Sequence, residues 1–227
     1  MPVSYAPLDP ALAHPVAGVR FAAVQAGVRK ANRYDLLVVE FDEGTAVGGV
    51  FTLNRFAAAP VQVCREHLAS SPNILALVVN TGIANAATGE LGLANARASC
   101  ASVAVALGVS EQQVLPFSTG VILEPLPMDR INAGINAAAA ELKANQLAAW
   151  DRVAQTIMTT DTVYKLASVQ ATLGSKTINV TGIAKGAGMI QPNMATLLSF
   201  VFTDAAIAPA LLQPFIAKGL VVLFDAP

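Results

Sequence analysis

Apolar residues in this chain fall mostly in short continuous runs separated by small-residue loops. Asp35-Leu-Leu-Val-Val-Glu-Phe41 is rich in strand formers and leads into the turn signal Asp42-Glu-Gly44. It predicts a strand, with residues 45–53 returning as a second one. Ile74-Leu-Ala-Leu-Val-Val79 has no polar face and predicts a fully buried strand, ending in the loop Asn80-Thr-Gly-Ile-Ala-Asn-Ala-Ala-Thr-Gly89. The alanine-rich residues 90–107 predict a helix, with Gly108 where a left-handed cap belongs. Ser110 with Gln113 reads as a capping box for a short next helix. Val114-Leu-Pro-Phe117 reads as a strand running into the loop Ser118-Thr-Gly120. Ile131, Ile135, Ala138 and Leu142 recur at helical spacing, so residues 128–147 predict a helix. Beyond the polar residues 155–162, residues 163–173 and 176–183 predict a hairpin around Gly174-Ser175. Leu197-Leu-Ser-Phe-Val-Phe202 predicts another buried strand. Alternating strands and helices place the chain in the α/β class, its sheets covered by helices. No repeat or linker marks a domain boundary.

Composition narrows this further. With 227 residues, 54% hydrophobic and 13% charged, the chain can bury a large core. A net charge of -1, with lysines and arginines scattered, argues against a nucleic-acid surface. No run approaches the ~18 clean apolar residues of a membrane span. The start, Met-Pro-Val-Ser-Tyr-Ala-Pro, lacks the basic and apolar regions of a secretion signal. Cys64 and Cys100 have no metal-ligand spacing and read as buried thiols in a reducing cytosol. His14 and His67 have no acidic residue patterned around them, so histidine catalysis is not expected.

The densest chemistry lies in Gly182-Ile-Ala-Lys-Gly-Ala-Gly-Met-Ile-Gln-Pro-Asn-Met-Ala-Thr196. Glycines, a proline and an asparagine form a bent loop that delivers Thr196 to the start of an apolar strand. Thr196 taken alone is an ordinary β-branched residue opening a strand. So many residues of special backbone type are not needed for that. A hydroxyl held there can attack the carbonyl of Ala195, giving an ester that water resolves. Thr196 then becomes a new N-terminus, and its α-amine, with an ordinary pKa of about 8, is a suitable base for its own hydroxyl. Lys185 lies between glycines but in neither phosphate-loop nor dinucleotide spacing, and two readings stand for it, a partner for a substrate carboxylate and a solvated loop lysine.

Lys185-Gly-Ala-Gly-Met-Ile followed by Pro192-Asn-Met-Ala-Thr196 resembles the cleavage-site signature of the ornithine acetyltransferase family, also called glutamate N-acetyltransferase, of arginine biosynthesis. The resemblance runs from about Gly18 to about Pro214 and fades in residues 215–227. Family members are longer, so the chain reads as their front part: residues 1–195 as the α-chain-like region and 196–227 as the start of the β-chain-like region. The resemblance implies an N-terminal-nucleophile architecture of the ornithine acetyltransferase/aminopeptidase kind. It implies self-cleavage at Ala195–Thr196 and acetyl transfer from N-acetylornithine to glutamate through an acetyl-threonine. Acetyl-CoA serves some members as donor, and no metal or cofactor is required.

By the same resemblance Thr119 and Gly120, within Ser118-Thr-Gly-Val-Ile122, stabilise the oxyanion, and Thr162 and Lys185 bind substrate along with Thr196. Leu123 stands where the family pattern has glycine, and Ile83 where it has asparagine. The cleaved chains are expected to pair as a heterotetramer of two α and two β chains in the cytoplasm, with no nucleic acid or membrane as partner. Two other readings stay open: an N-terminal-nucleophile aminopeptidase or amidohydrolase, which would use water as acceptor, and a silent fragment, since a glutamate and polar residues that the family uses for substrate contacts lie beyond Pro227.

Overall fold

The structure, a computed structural model, describes residues 7–71, 73–145, 148–187 and 197–224, with side chains as far as residue 218. A four-stranded sheet runs in the order β1 (Val19–Val24), β2 (Leu36–Phe41), β3 (Ala76–Ile83), β4 (Val114–Val121). Its β1–β2 and β2–β3 pairs are antiparallel and β3–β4 is parallel. The connection from β3 to β4 passes through helix α2 (Gly89–Leu107), as a parallel pair requires. A second, antiparallel sheet contains β5 (Lys165–Leu173), β6 (Lys176–Lys185) and β7 (Leu198–Thr203) in that order. The other helices are α1 (Ala59–Ser70), α3 (Met128–Lys143), α4 (Trp150–Thr156) and α5 (Pro209–Phe224). No helix among the described residues is long and apolar enough to cross a membrane.

The apolar run of β2 shows why the fold is layered. Leu36 and Val38 point into one core with Cys100 and Val103 of α2 and Ile131 and Ile135 of α3. Leu37 and Val39 point the other way, into a core with Ile183, Phe200 and Phe202 of the second sheet. Alternate residues of one strand therefore fill two cores, which is why the run has no polar face. Each such side chain contributes about 1.5–3 kcal/mol on burial. Edge-on ring pairs, Phe21–Phe202 at 5.2 Å and Phe117–Phe200 at 5.0 Å, bridge the two sheets.

The helix over 90–107, its left-handed Gly108 cap, the Ser110/Gln113 box and the 165–185 hairpin all form as the pattern indicates. Other elements differ. Residues 45–53 do not return as a strand, because both edges of β2 are already taken by β1 and β3. That segment runs irregularly, and Arg65 of α1 donates to its Thr52 carbonyl. β3 continues through Ile83, and β4 through Val121, so Ser118-Thr-Gly120 is strand rather than loop. The partner strand holds them extended, pairing Thr81 with Thr119 and Gly82 with Gly120. Helix α3 ends at Lys143, two residues before Asn145 at φ 54°.

β4 is an edge strand, and side chains close the first part of its open edge. His67 Nδ1 lies 2.7 Å from the Val114 carbonyl, and the Cys64 thiol donates to the Pro116 carbonyl at 3.1 Å. The Cys100 thiol also reaches the Val114 carbonyl, at 3.5 Å. Pro116, with no N–H to leave unpaired, suits this position. Both cysteines and His67 are thus structural, and burial pushes both thiols above their ordinary pKa.

Candidate functional site

The sheets meet at one end in a polar cluster. Lys185 is the last residue of β6, and its ammonium donates to Thr159 Oγ1 at 2.7 Å and to Thr119 Oγ1 at 3.2 Å. Thr119 belongs to β4 of the first sheet, and Thr159 to the turn between α4 and β5. Lys185 is only 5% exposed. Burial lowers its pKa; the Asp161 carboxylate opposes that shift, and the Lys165 and Arg33 cations add to it.

Asp161 organises the turn. Its side chain is 1% exposed. One oxygen accepts from Lys165 Nζ at 2.6 Å and from the Gly186 N–H at 2.8 Å, and the other from the Thr159 N–H at 3.3 Å. Burial raises the pKa of this carboxyl, but the Lys165 ammonium and the two N–H donors outweigh it and hold it below the ordinary carboxylate value. Arg33 adds a further tie by donating to the Met158 carbonyl.

Gly120 is fixed by close approach. It sits at φ 140°, and a Cβ there would fall 2.2 Å from the Gly82 carbonyl carbon. In β4 the odd-numbered positions face β3, as the Ala84 N–H to Val121 carbonyl bond shows, while Val114 and Pro116 face the open edge. By that alternation the Gly120 N–H points to the open edge. Thr119 accepts from Lys185, which leaves its own hydroxyl proton available. A hydroxyl and an N–H from adjacent residues are the two donors an oxyanion requires.

The residues that follow are also ordered. Leu123 takes φ 67°, is 68% exposed, and bonds its N–H to the Ala86 carbonyl at 2.9 Å. The side chain therefore points outward, and the strain lies in the backbone. Beside it Arg29 pairs with Glu124.

The structure brings Lys185 and Thr119 together, and Gly120 lies next along β4. Thr162 is exposed; the threonine that meets Lys185 is Thr159, three residues earlier. Four threonines stand between residues 156 and 162, and no sequence signal separated Thr159 from its neighbours. Nothing in the sequence marks Asp161 apart from its polar neighbours either. Thr196 and Ala195 lie outside the described residues. Leu198, two residues after Thr196, pairs directly with Lys185 in the β6–β7 ladder. The chain therefore returns to the Lys185 end of the cluster within two residues of Thr196. Among the described residues, no three His, Cys, Asp or Glu side chains gather as metal ligands do.

The ArgJ family matches residues 20–226. The match continues past Pro214, where the resemblance read from the sequence fades. Solved structures that resemble this one include two ArgJ-type enzymes. The arginine biosynthesis bifunctional protein argJ of Bacillus halodurans is 38% identical, with a TM-score of 0.70 over 79% of this chain and 92% of that one. The ornithine acetyltransferase of Mycobacterium tuberculosis, solved in complex with ornithine, is 34% identical, with a TM-score of 0.68 over 79% of this chain and 94% of that one. The mixed α/β architecture is that of the ArgJ structures. With the match spanning most of its length, the chain belongs to the ArgJ family.

Proposed function

We propose that this chain is an acyltransferase of arginine biosynthesis, moving an acetyl group from N-acetylornithine to glutamate through an acetyl ester on Thr196. The observation that carries this reading is the buried Lys185 ammonium, bonded at once to Thr119 and Thr159 and paired in register with Leu198. It puts a cation for an amino-acid carboxylate beside a hydroxyl and an N–H fit for an oxyanion, at the strand start that Thr196 precedes.

The reaction has two stages. Thr196 Oγ attacks the Ala195 carbonyl, the C–N bond breaks as the ester forms and so frees the Thr196 amine, and water hydrolyses the ester to release the Ala195 carboxylate and the Thr196 hydroxyl. That amine then takes the hydroxyl proton, the hydroxyl attacks the acetyl carbonyl of N-acetylornithine, and the proton leaves with ornithine. Glutamate's amine attacks the ester and regenerates Thr196. Thr119 and Gly120 would stabilise each tetrahedral oxyanion, and Thr162 is left as a substrate contact at the rim of the turn. The route needs no metal or cofactor, and acetyl-CoA is a second donor in this proposal. The cut chains stay paired and assemble as a heterotetramer in the cytoplasm.

Intact-mass measurement of wild type and Thr196→Ala, with product analysis in the presence and absence of glutamate, tests this. The expected result is wild type split at Ala195–Thr196, an uncut variant, and ornithine release that depends on glutamate. Release that is independent of glutamate would make the enzyme a hydrolase. An uncut, inactive wild type would sink the reading for this chain.

A further inference from the structure

Asp161 has no part in the acetyl-transfer steps, yet it is the most heavily bonded carboxylate near Lys185. It is nearly inaccessible, at 1% side-chain exposure, so it does not meet a substrate itself. Its bonds reach three separate pieces of the site. The Thr159 N–H belongs to the turn whose hydroxyl receives Lys185. The Gly186 N–H belongs to the residue immediately after Lys185, where the chain leaves β6 toward the cleavage loop. The Lys165 ammonium opens β5, the neighbour of β6 in the second sheet. One carboxylate therefore fixes both the approach to the lysine and the departure from it.

We propose that Asp161 is a positioning residue for the acetyl-transfer site, tying Gly186 to the Thr159 turn and supplying the negative charge that keeps the buried Lys185 a cation for a carboxylate substrate. The proposal rests on the acetyltransferase reading for the identity of that substrate, but not for its geometry. Lys185 is packed among Thr119 of β4, the Thr159–Asp161 turn, Lys165 of β5 and Arg33 of the β1–β2 loop. Two of these neighbours are cations and only Asp161 is an anion. Without it, a buried ammonium beside two like charges would release its proton more readily. The neutral amine could still bond to the two hydroxyls but would not attract a carboxylate. Lys165 competes with Lys185 for the same carboxylate, so removing Lys165 must act in the opposite direction.

The test titrates Lys185 directly by NMR in the 227-residue chain carrying 13C-labelled lysine, with the resonance assigned by its loss in Lys185→Met. In Asp161→Asn, which keeps an oxygen for Gly186 but loses the charge, the Lys185 midpoint should fall by on the order of one pH unit. In Lys165→Met, at a residue whose side chain is 39% exposed, it should rise. The alkaline limb of kcat/KM should move with the midpoint in both variants, and KM should rise at least about tenfold in Asp161→Asn as a 1.4 kcal/mol contact is lost. Asp161→Ala, lacking the acceptor too, should slow appearance of the cut fragments as well. An unmoved Lys185 midpoint in Asp161→Asn overturns the proposal. If that variant does not fold, a midpoint in Lys165→Met that stays or falls overturns it instead. A wild type that neither cuts nor transfers acetyl would end the acetyltransferase reading while leaving the titration to decide the role of Asp161.

Discussion

Lys185 Nζ, from the second sheet, donates to Thr119 Oγ1, from the first, across 3.2 Å. The bond crosses the boundary between the sheets at the point where the apolar core gives way to polar groups. An ammonium only 5% exposed costs stability, since two hydroxyls do not replace its lost hydration.

Lys185→Met should therefore separate activity from stability. Acetyl transfer should fall at least about a hundredfold, as loss of a charged contact of about 3 kcal/mol implies, while the melting temperature stays level or rises. The folded-state pKa of Lys185 is lowered, so the unfolded chain binds its proton more tightly and wild-type stability should increase with pH between the folded and unfolded values. Melts across the alkaline range should show that increase in wild type and lose it in the variant.

Asp161 works with the opposite sign. Its folded pKa lies below the ordinary value, so the stability it contributes is present above about pH 4 and is lost as pH falls through the folded value. Acid melts should show Asp161→Asn less stable than wild type at pH 7, with the gap closing toward pH 2.

At Leu123 the backbone is left-handed, φ 67°, in a bulky residue that buries little. Leu123→Gly removes a strain of about 1–2 kcal/mol and gives back part of it in unfolded-chain entropy. A net gain of about 0.5–1 kcal/mol should appear in denaturant melts. Loss of stability would show that the Leu123 side chain contributes more than its exposure indicates.

Gly120→Ala should do the reverse. Its new Cβ would meet backbone atoms of Gly82 and Ile83 at 2.2–2.6 Å, where no flexible side chain can yield. The β3–β4 pair must separate there, costing about 3 kcal/mol, and self-cleavage should fail in any protein that still folds.

The thiols offer a check on the core. Cys64 and Cys100 are fully buried and bonded to carbonyls on the β4 edge. Native protein should resist thiol reagents until it unfolds, and labelling should accelerate in step with urea-induced unfolding. Fast labelling of the folded chain would contradict this packing.

Much of this was legible in the residues. The β2 run, the α2 cap and the hairpin at Gly174 are set by local patterns that tertiary contacts do not override. Residues 45–53 misread because a turn signal carries no information about whether the next strand has a free edge. Spacing alone does not bring Lys185 to Thr119 across 65 intervening residues, and only the family resemblance put both in one site. Thr159 could not be distinguished from Thr162 because the choice depends on how Asp161 bends the turn. The edge-closing role of Cys64, His67 and Cys100 needed the knowledge that β4 is outermost.

The β6–β7 ladder carries one more consequence. Its six register pairs, Val180–Thr203 through Lys185–Leu198, join residues that precede Ala195 to residues that follow Thr196. A cut between those strands would exchange covalent continuity for hydrogen-bonded continuity and leave the sheet whole. The two products would be born already docked, with no search for one another and no dependence on concentration. The fresh terminus would be tethered two residues from a strand that cannot drift, so maturation here would be a change of bonding within a finished structure.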